Sequence, residues 1–455
     1  MNTRLRAQSF GRLPGPRGLS RARTTRRFFG RPYLALGGMH EEIGDLAAIN
    51  IFGMHFVSLR DPAWIDQMLR DADGVFIKDK VLRDLTALLG HGLLTSENPL
   101  WMQQRRRIAP AFTRKHIQSY ALTMRELTRA MLSGWRDGQH MDLHAAWMSV
   151  TLKIVVQTLF DAEVGPAEHA ISSALDRALE HFDRELNTPM GLLPQWIPTR
   201  TRADFRRSVV EMDGVIFRLI EERRRRGDVG HDLLGRMMFA RDDSGASMSD
   251  RQLRDEAITL VLAGHETTAL TMTWTAMLLS KHPEVARKLR QELAEQMQDA
   301  DDLSVFGVDM ATRLPYTVAV LRESMRLCPP AWIVGRELTA DVQFGPHTVP
   351  AGTQVMACIW VMHRDARYFD RPEEFRPERW LDGLHERLPR GVYMPFGGGA
   401  RVCIGNHFAM MEAAILLTEL VRAWDFRVDA GYEPDLVASI TLRPRHGMPG
   451  VVTRV

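Results

Sequence analysis

Amphipathic helical periodicity dominates this chain and restricts it to folds built mainly from helices. The longest windows in which apolar residues recur at helical spacing lie near residues 116–135, 144–160, 168–186, 203–226, 251–280, 283–298 and 313–327. Strand-like runs are short and cluster near residues 48–59 and 332–362. Because neither a fixed-period repeat nor a Pro-, Gly- or Ser-rich linker divides the body, we predict one large, mainly α domain with small β-sheets, an α+β arrangement.

Two segments without clear periodicity, residues 187–202 and 363–402, are expected to be long loops, which in a compact domain usually serve a function. No stretch of about 18 uncharged apolar residues occurs, so the sequence predicts no membrane-spanning helix. The three cysteines, Cys328, Cys358 and Cys403, are too few for a disulfide framework and indicate a reducing compartment.

The basic residues are distributed unevenly, because nine arginines precede the first acidic residue, Glu41. Without these nine, 50 basic residues stand against 56 acidic ones, so we expect a mildly acidic body and no nucleic-acid partner. Residues 1–32 are predicted to be a flexible basic leader with a hinge at residues 13–18, and residues 33–455 to be the folded domain. An Arg-rich, acid-free start is also typical of a mitochondrial transit peptide.

The most informative segment is FGGGARVCIG at residues 396–405, where a glycine-rich loop places Cys403 at the start of an apolar helix. A helix N-terminus favours the thiolate, and glycines let the backbone approach the sulfur or a flat group over it. The dinucleotide-binding spacing fails because Val402 replaces the required glycine, and a P-loop ending is absent. A zinc site of Cys403 and His407 lacks a second ligand pair. An inert buried cysteine is the alternative for this segment alone.

A second motif, AGHETT at residues 263–268, lies in the middle of the longest apolar helical window. A metalloprotease site is excluded because Ala269 stands where the second histidine is required. A threonine within a helix can bond to the carbonyl one turn earlier, so that a local groove is expected beside Gly264. The alternative is a structural one, with Glu266 paired to a distant arginine and the hydroxyls bonded back to the helix.

Two further residue pairs are informative through their positions in the chain. Glu323 and Arg326 share one helix face and precede the segment FRPERW at residues 375–380, although the same spacing recurs at several other places. Trp101 and Arg105 lie one helical turn apart and could together bind an anion.

In this order, the motifs resemble those of the cytochrome P450 family of haem-thiolate monooxygenases, and the resemblance covers nearly the whole chain after residue 32. The sole departure is Trp380, where the family more often has phenylalanine. The resemblance implies a cytochrome P450 fold, a single large helical domain around a buried haem b. Cys403 would be the axial ligand of the haem iron and favour O–O cleavage.

The resemblance also assigns the remaining site residues. The haem propionates would be held by Trp101, Arg105, Arg336 and Arg401. The haem-binding loop would contribute Phe396, Gly397 and Gly405. Ala263 and Gly264 would leave room for dioxygen and substrate, Thr267 and Glu266 would relay protons, and Glu323, Arg326 and Arg379 would form a buried structural triad.

The implied reaction is insertion of one atom of O₂ into an apolar substrate with electrons from NAD(P)H. The chain is too short for a fused reductase, so a separate ferredoxin or flavodoxin with its own reductase is expected. A basic docking face for that partner would include Arg105, Arg106, Arg107, Arg114 and Lys115. We expect a monomeric, cytoplasmic bacterial enzyme, with mitochondria as the alternative location.

The substrate pocket implied by the resemblance is mainly apolar, which indicates a fatty acid, terpenoid, steroid or polyketide-like substrate. It would draw on residues 76–94, 168–226, 261–268, 332–334 and the segment near Ile440. Two other hypotheses are a peroxide-driven or rearranging haem-thiolate enzyme and a non-catalytic haem sensor on the same fold. The pair Glu266 and Thr267 argues against both, because neither needs a proton relay.

Overall fold

The computed structural model describes residues 10–161, 166–188, 197, 199–227, 230, 232–241, 245–297, 299 and 301–455. Most of the predicted loop at residues 187–202 lies outside the described residues.

The helices are most numerous in the middle of the chain, as the periodicity predicts. They are α1 Gly18–Phe28, α2 Pro32–Ile43, α3 Pro62–Arg70, α4 Lys80–Asp84, α5 Thr86–Leu89, α6 Leu100–Ile108, α7 Arg114–Ser119, α8 Ala121–Ser133, α9 Leu143–Phe160, α10 Pro166–Asn187, α11 Arg200–Arg226, α12 Leu233–Phe239, α13 Asp250–Lys281, α14 Pro283–Gln296, α15 Met310–Arg313, α16 Pro315–Leu327, α17 Ile359–Met362, α18 Leu384–Arg387 and α19 Asn406–Ala423. Short 3₁₀ helices span Ala109–Phe112, Leu303–Phe306, Pro377–Trp380 and Gly399–Arg401.

The strands form small sheets. They are β1 Leu46–Ile51, β2 Met54–Leu59, β3 Phe76–Lys78, β4 Gln139–Asp142, β5 Ile333–Leu338, β6 Val342–Phe344, β7 His347–Val349, β8 Gln354–Cys358, β9 Trp424–Val428, β10 Leu436–Ala438, β11 Leu442–Pro444 and β12 Pro449–Arg454. The largest sheet has the order β1-β2-β8-β5-β3, and only its β2–β8 pair is parallel among the described strands. Two hairpins, β6-β7 and β10-β11, and the sheet β4-β12-β9 complete the set.

The long helix α13 is the centre of the main core. It begins with a capping box, in which the Ser249 hydroxyl accepts from the Gln252 N–H while the Gln252 side chain accepts from the Ser249 N–H. Helices α9, α11, α16 and α19 pack against it, and most of its side chains are buried. Because α13 is covered on nearly every side, its polar residues need partners inside the protein.

One helix, α9, is long and apolar enough to cross a membrane by length and composition. The helix is not the uncharged stretch considered in the sequence, because Lys153 lies within it. Most of α9 is buried against the rest of the chain, as in the core helix of a globular protein, so the finding is weak evidence for a membrane span.

The predicted leader is helical over α1 and packs on the body of the protein where the structure describes it, from residue 10 onward. Phe10 and Leu13 are buried against the largest sheet, and Pro14 accepts a hydrogen bond from the backbone N–H of Ala48 at 2.8 Å. A Cβ at Gly15 would lie 2.1 Å from the Ala48 carbonyl oxygen, so only glycine permits this contact. The expected hinge is therefore a packed segment, whereas the domain boundary at residue 33 stays a prediction.

Candidate functional site

Cys403 lies between a glycine-rich turn and α19, as the sequence predicts. Its backbone N–H donates to the carbonyl of Phe396 at 3.0 Å, which closes the loop around the side chain. The sulfur faces an internal cavity, so the residue is accessible although protein surrounds it. Burial raises the pKa of the Cys403 thiol, and the Gly405 N–H and the Arg105 guanidinium only partly oppose this effect.

The predicted effect of the helix N-terminus on the thiolate is therefore not the dominant one for the free thiol. Desolvation of the sulfur outweighs the nearby N–H group and the positive charge. A cation bound to the sulfur removes the thiol proton outright. A free Cys403 thiol therefore keeps its proton more readily than an exposed one, while its sulfur remains accessible from the cavity to a cation.

Two glycines of the cysteine loop are required by its backbone. Gly399 has a φ of +64°, and a Cβ there would lie 2.0 Å from the Leu69 carbonyl oxygen on α3. Gly397 has a φ of +71°, lines the cavity, and offers open space where a Cβ would stand. The loop thus packs directly on α3 and leaves free space over its cavity side, which fits a flat group.

Trp101, Arg105 and Arg401 meet at one edge of the cavity. Arg105 Nη1 donates to the Val402 carbonyl at 2.8 Å. The Arg401 guanidinium lies 4.6 Å from the centre of the Trp101 ring and forms an ion pair with Glu97 at 2.6 Å. The structure therefore brings these three predicted residues together with the cysteine loop.

Arg336 and Lys78 add two more cations to this edge, on paired positions of β5 and β3. Both side chains are buried and line the cavity. Burial, with the charges of Arg336 and Arg401, lowers the pKa of Lys78 to about 7. Glu97 and Asp79 compensate only part of the charge of these buried cations, so the cluster fits a bound group with carboxylates. No sequence motif indicated Lys78.

Helix α13 forms another wall of the cavity with Ala263, Gly264 and Thr267. The Thr267 hydroxyl donates to the Ala263 carbonyl at 2.7 Å. A Cβ at Gly264 would come 3.1 Å from the Val155 side chain, so a larger residue would push α9 away. The helix runs unbroken from Asp250 to Lys281, so the expected groove does not take the form of a helix break.

Glu266 is buried beside the segment that carries Thr441 and Arg443. Its Oε1 accepts a hydrogen bond from the Thr441 hydroxyl at 2.8 Å and lies 3.9 Å from an Arg443 nitrogen. Burial raises the pKa of Glu266, with Arg443 acting in the opposite direction. The carboxyl group therefore holds a proton more readily than an exposed one, as a proton relay requires.

Glu323, Arg326 and Arg379 form a buried ionic cluster, as predicted. Both Glu323 oxygens accept from Arg326 at 2.9 Å, and Oε1 also accepts from Arg379 at 2.9 Å. The indole N–H of Trp380 donates to the other oxygen at 2.8 Å. Tryptophan at this position therefore adds a hydrogen bond that phenylalanine cannot make.

The two arginines of the cluster also hold the chain that leads to the cysteine loop. Arg326 donates to the carbonyls of His363 at 2.8 Å and Pro372 at 2.6 Å. Arg379 donates to the carbonyl of Asp370 at 2.7 Å. This cluster does not line the cavity, so its contacts support a structural role.

The cavity has a volume of about 1030 Å³ and reaches from Cys403 to the N-terminal helices. Its walls are mostly apolar and come largely from the segments predicted for the substrate pocket, with Val155 and Leu159 of α9 as contributors that the sequence did not predict. The walls include Leu82, Leu93, Val155, Leu159, Phe182, Phe205, Trp332, Val334 and Ile440. A space of this kind suits an apolar ligand beside a larger bound group.

The side of the cavity at residues 90–93 is fastened to α13. The His91 N–H donates to Asp255 at 2.8 Å, and the Leu93 N–H donates to Glu256 at 3.0 Å. A Cβ at Gly90 would lie 2.2 Å from the Asp255 carboxylate. This wall and the helix are therefore in direct contact along two successive α13 residues.

The roof of the cavity is formed by α10 and α11, which an ion pair joins. Arg202 on α11 donates to both carboxylate oxygens of Glu185 on α10, at 3.0 and 3.2 Å. His181 on α10 lines the cavity, and its ring stacks on Phe205 at a centroid distance of 4.4 Å. The His181 Nδ1 atom is buried without a hydrogen-bond partner among the described residues. No sequence motif indicated a functional role for His181.

The comparisons with known proteins agree with this geometry. The family model described as Cytochrome P450 matches residues 24–447. Cyclooctatin synthase of Streptomyces melanosporofaciens is 32% identical over 399 residues, covering 85% of this chain and 84% of that protein. Pentalenene oxygenase of Streptomyces avermitilis is 30% identical over 405 residues, covering 87% and 88%. The solved cytochrome P450DA heme domain superposes with a TM-score of 0.83 at 26% identity, covering 93% of each chain.

The fold is that of a haem-thiolate monooxygenase, and the chain belongs to the cytochrome P450 family. These findings confirm the predicted fold, enzyme class and haem iron cofactor. The residues present fit that cofactor: a sulfur accessible from the cavity, open space over the glycine loop, and a cluster of cations at one edge of the cavity.

Proposed function

We propose that this enzyme inserts one oxygen atom of O₂ into a C–H or C=C bond of an apolar, terpenoid-like molecule. The second oxygen atom leaves as water, and two electrons come from NAD(P)H through a separate ferredoxin or flavodoxin and its reductase. The observation that carries the proposal is a single apolar cavity lined by both Cys403 and Thr267. The relatives named cyclooctatin synthase and pentalenene oxygenase support a terpenoid-like substrate.

Haem binding is assigned to groups that already meet at the cavity. The haem supplies the redox chemistry that activates dioxygen. Cys403 would ligate its iron, and the loop with Phe396, Gly397 and Gly405 would carry the ring. The propionates would be held by Trp101, Arg105, Arg336, Arg401 and, in addition, Lys78. Ala263 and Gly264 leave space beside the ring because neither has a side chain larger than a methyl group.

Thr267 and Glu266 are assigned to proton transfer. Because the Thr267 hydroxyl donates its proton to the Ala263 carbonyl, its oxygen can accept a hydrogen bond from water in the cavity. Glu266 lines the same cavity, and burial raises its pKa, so that it holds a proton more readily than an exposed carboxylate. The two groups would thus accept and deliver protons at the cavity wall.

Replacement of Thr267 by alanine tests this assignment. We expect NAD(P)H to be consumed at a similar rate while product formed per NAD(P)H falls at least about tenfold, because proton delivery is lost and reduced oxygen escapes. The assay uses a surrogate ferredoxin and reductase with terpene hydrocarbons, and it measures NAD(P)H, peroxide and product together.

The matched control is Thr273→Ala, which removes a hydroxyl with the same bond to the preceding turn, at 2.7 Å, away from the cavity. This variant should stay coupled. Fully coupled turnover by T267A would overturn the relay, and turnover with peroxide alone but not with electrons would favour the peroxide-driven alternative.

His181 gives the proposed substrate one polar contact. Burial lowers its pKa, so the ring is neutral at pH 7 and offers one donor and one acceptor. We expect His181→Phe to weaken binding of an oxygen-bearing terpenoid about tenfold, because one hydrogen bond is lost. Binding of the matching hydrocarbon should not weaken. Titration of the haem Soret band with both ligands measures the two affinities, and equal losses would contradict the assignment.

The basic docking face predicted for the electron donor is part of the same proposal. Arg106, Arg114 and Lys115 are exposed. They lie on α6 and α7, and Arg105, which the prediction also includes in this face, lies on α6. A cytoplasmic location follows from the bacterial relatives and stays part of this proposal.

A further inference from the structure

Arginines cover the surface of α1 and its flanking residues. This surface, here called the arginine face, consists of Arg12, Arg17, Arg21, Arg23, Arg26, Arg27 and Arg31. All seven are exposed, and no acidic residue occurs in the sequence before Glu41. The face is therefore a local concentration of positive charge on a body with more acidic than basic residues.

Few groups within the protein neutralise this charge. Arg21 donates to the Asn50 carbonyl at 3.1 Å, and Arg31 lies 3.8 Å from Asp435 in a pair that is exposed on both sides. Within the described part of the chain, the other members of the face make no ion pair with a carboxylate. Uncompensated like charges repel one another, so this arrangement does not stabilise the fold. It is suited instead to binding an extended anionic partner.

Large apolar side chains project from the same surface. Leu19 on α1 is 78% exposed, and Phe52 in the β1–β2 turn is 67% exposed. Phe52 has a φ of +48° and Gly53 a φ of +86°, a two-residue hairpin turn in which the first position strongly prefers Asn, Asp or Gly. A phenylalanine there is unfavourable for the backbone and leaves an apolar ring largely in solvent.

A shallow groove joins the charged and apolar parts of the face. It has a volume of about 530 Å³. The Phe29 and Phe52 rings lie 5.9 Å apart beside it. Its lining residues are Gly18, Arg21, Ala22, Thr25, Arg26, Phe29 and Phe52. Phenylalanine rings with guanidinium groups beside them match the boundary between acyl chains and phosphate headgroups.

The arginine face also adjoins the mouth of the main cavity. Phe28 and Phe29 at the end of α1 line the cavity that extends to Cys403. Ile51, Met54 and Phe56 of the adjacent β1–β2 hairpin line it as well. A partner bound to the face would therefore lie beside this end of the cavity.

We propose that the arginine face docks on an anionic phospholipid surface, with the guanidinium groups at the phosphates and Phe52 and Leu19 in the interfacial layer. The docked orientation presents the cavity mouth to the bilayer, from which an apolar substrate can diffuse in. Only this last step rests on the proposed function. The acidic remainder of the body is repelled by the same surface, which selects one orientation.

The first test uses the full-length holoprotein without substrate. Co-sedimentation with phosphatidylcholine vesicles is compared with vesicles in which one third of the lipid is phosphatidylglycerol. We expect binding to the anionic vesicles alone, weakening as salt rises from about 0.05 M to about 0.5 M because the charges are screened. Absence of binding to anionic vesicles at low salt would overturn the proposal.

The second test removes charge from the face with the triple variant R23Q, R26Q and R27Q. Each arginine contributes about fivefold to partition on an anionic surface, so the loss should be on the order of a hundredfold. The matched control is R218Q, R225Q and R226Q, which removes three exposed arginines from α11. Equal losses in both triple variants would mean that net charge alone drives binding and would overturn the proposed face.

The third test removes the apolar contact with Phe52→Asn, since asparagine tolerates the left-handed backbone. Vesicle binding should weaken about tenfold, whereas Val308→Ser, which removes an apolar side chain exposed to 64% elsewhere, should leave it unchanged. An unchanged affinity of F52N, or tighter binding of wild type to double-stranded DNA or an acidic protein than to vesicles, would contradict docking on lipid. Because no test uses turnover, failure of the substrate assignment would leave these results unaffected.

Discussion

Replacement of Cys403 by serine is expected to abolish the strongly red-shifted Soret band of the reduced, carbon-monoxide-treated protein and to eliminate turnover. A serine oxygen is a poorer ligand for haem iron than a thiolate sulfur and does not supply the same electron density. The substitution keeps the size of the side chain, and the backbone N–H bond to the Phe396 carbonyl does not depend on the sulfur. Loss of the band would therefore reflect the ligand and not the loop. The difference spectrum of freshly purified protein measures it.

Cys328→Ala is the control, because this cysteine does not line the cavity. It should keep the red-shifted band at wild-type intensity. A C403S protein that retained the band would require another sulfur ligand and would invalidate the assignment of the whole loop.

Replacement of Glu323 by glutamine is expected to cost about 3–5 kcal/mol of unfolding free energy and to lower haem retention sharply. Glu323 is fully buried and neutralises Arg326 and Arg379. Without its charge, two buried guanidinium groups keep only carbonyl partners. Chemical unfolding followed by circular dichroism, together with haem content per protein, measures both effects.

A graded series separates this effect from general sensitivity to substitution. Trp380→Phe removes one hydrogen bond to the charged Glu323 and should cost about 1.5–3 kcal/mol. Glu221→Gln alters an exposed glutamate with the same Glu-x-x-Arg spacing and should cost less than about 0.5 kcal/mol. Similar stabilities for E323Q and E221Q would show that the buried cluster does not hold the fold.

A site residue could be predicted from the sequence when the residues that act with it are its neighbours along the chain. The cysteine loop and the AGHETT motif were recognisable because each carries its glycine, acid or hydroxyl within a few positions. Lys78 and His181 were not, because each gains significance only through burial in a cavity built from distant segments. The roles of all these residues stay predictions until the variants are measured.

The same distinction holds for the fold. Helical periodicity is a local signal, so the long helices and the small sheets were predicted correctly. The burial of Phe10 and Leu13 is a tertiary effect, since strand β1 and its neighbours supply their contacts. An Arg-rich composition therefore indicated a flexible leader where apolar anchors actually fix the segment to the sheet.

The attachment of residues 90–93 to α13 has a consequence for altering the substrate range by mutation. Side chains on the roof helix α10 can be exchanged with little effect on Thr267, because α10 does not share these contacts with α13, whereas α11 packs on α13 directly. A bulkier residue at Gly90 or Gly92 would instead press on Asp255 or Thr259 and shift the helix that carries Thr267. Libraries that vary α10 should therefore change selectivity while keeping coupling, whereas libraries at residues 90–93 should alter both together.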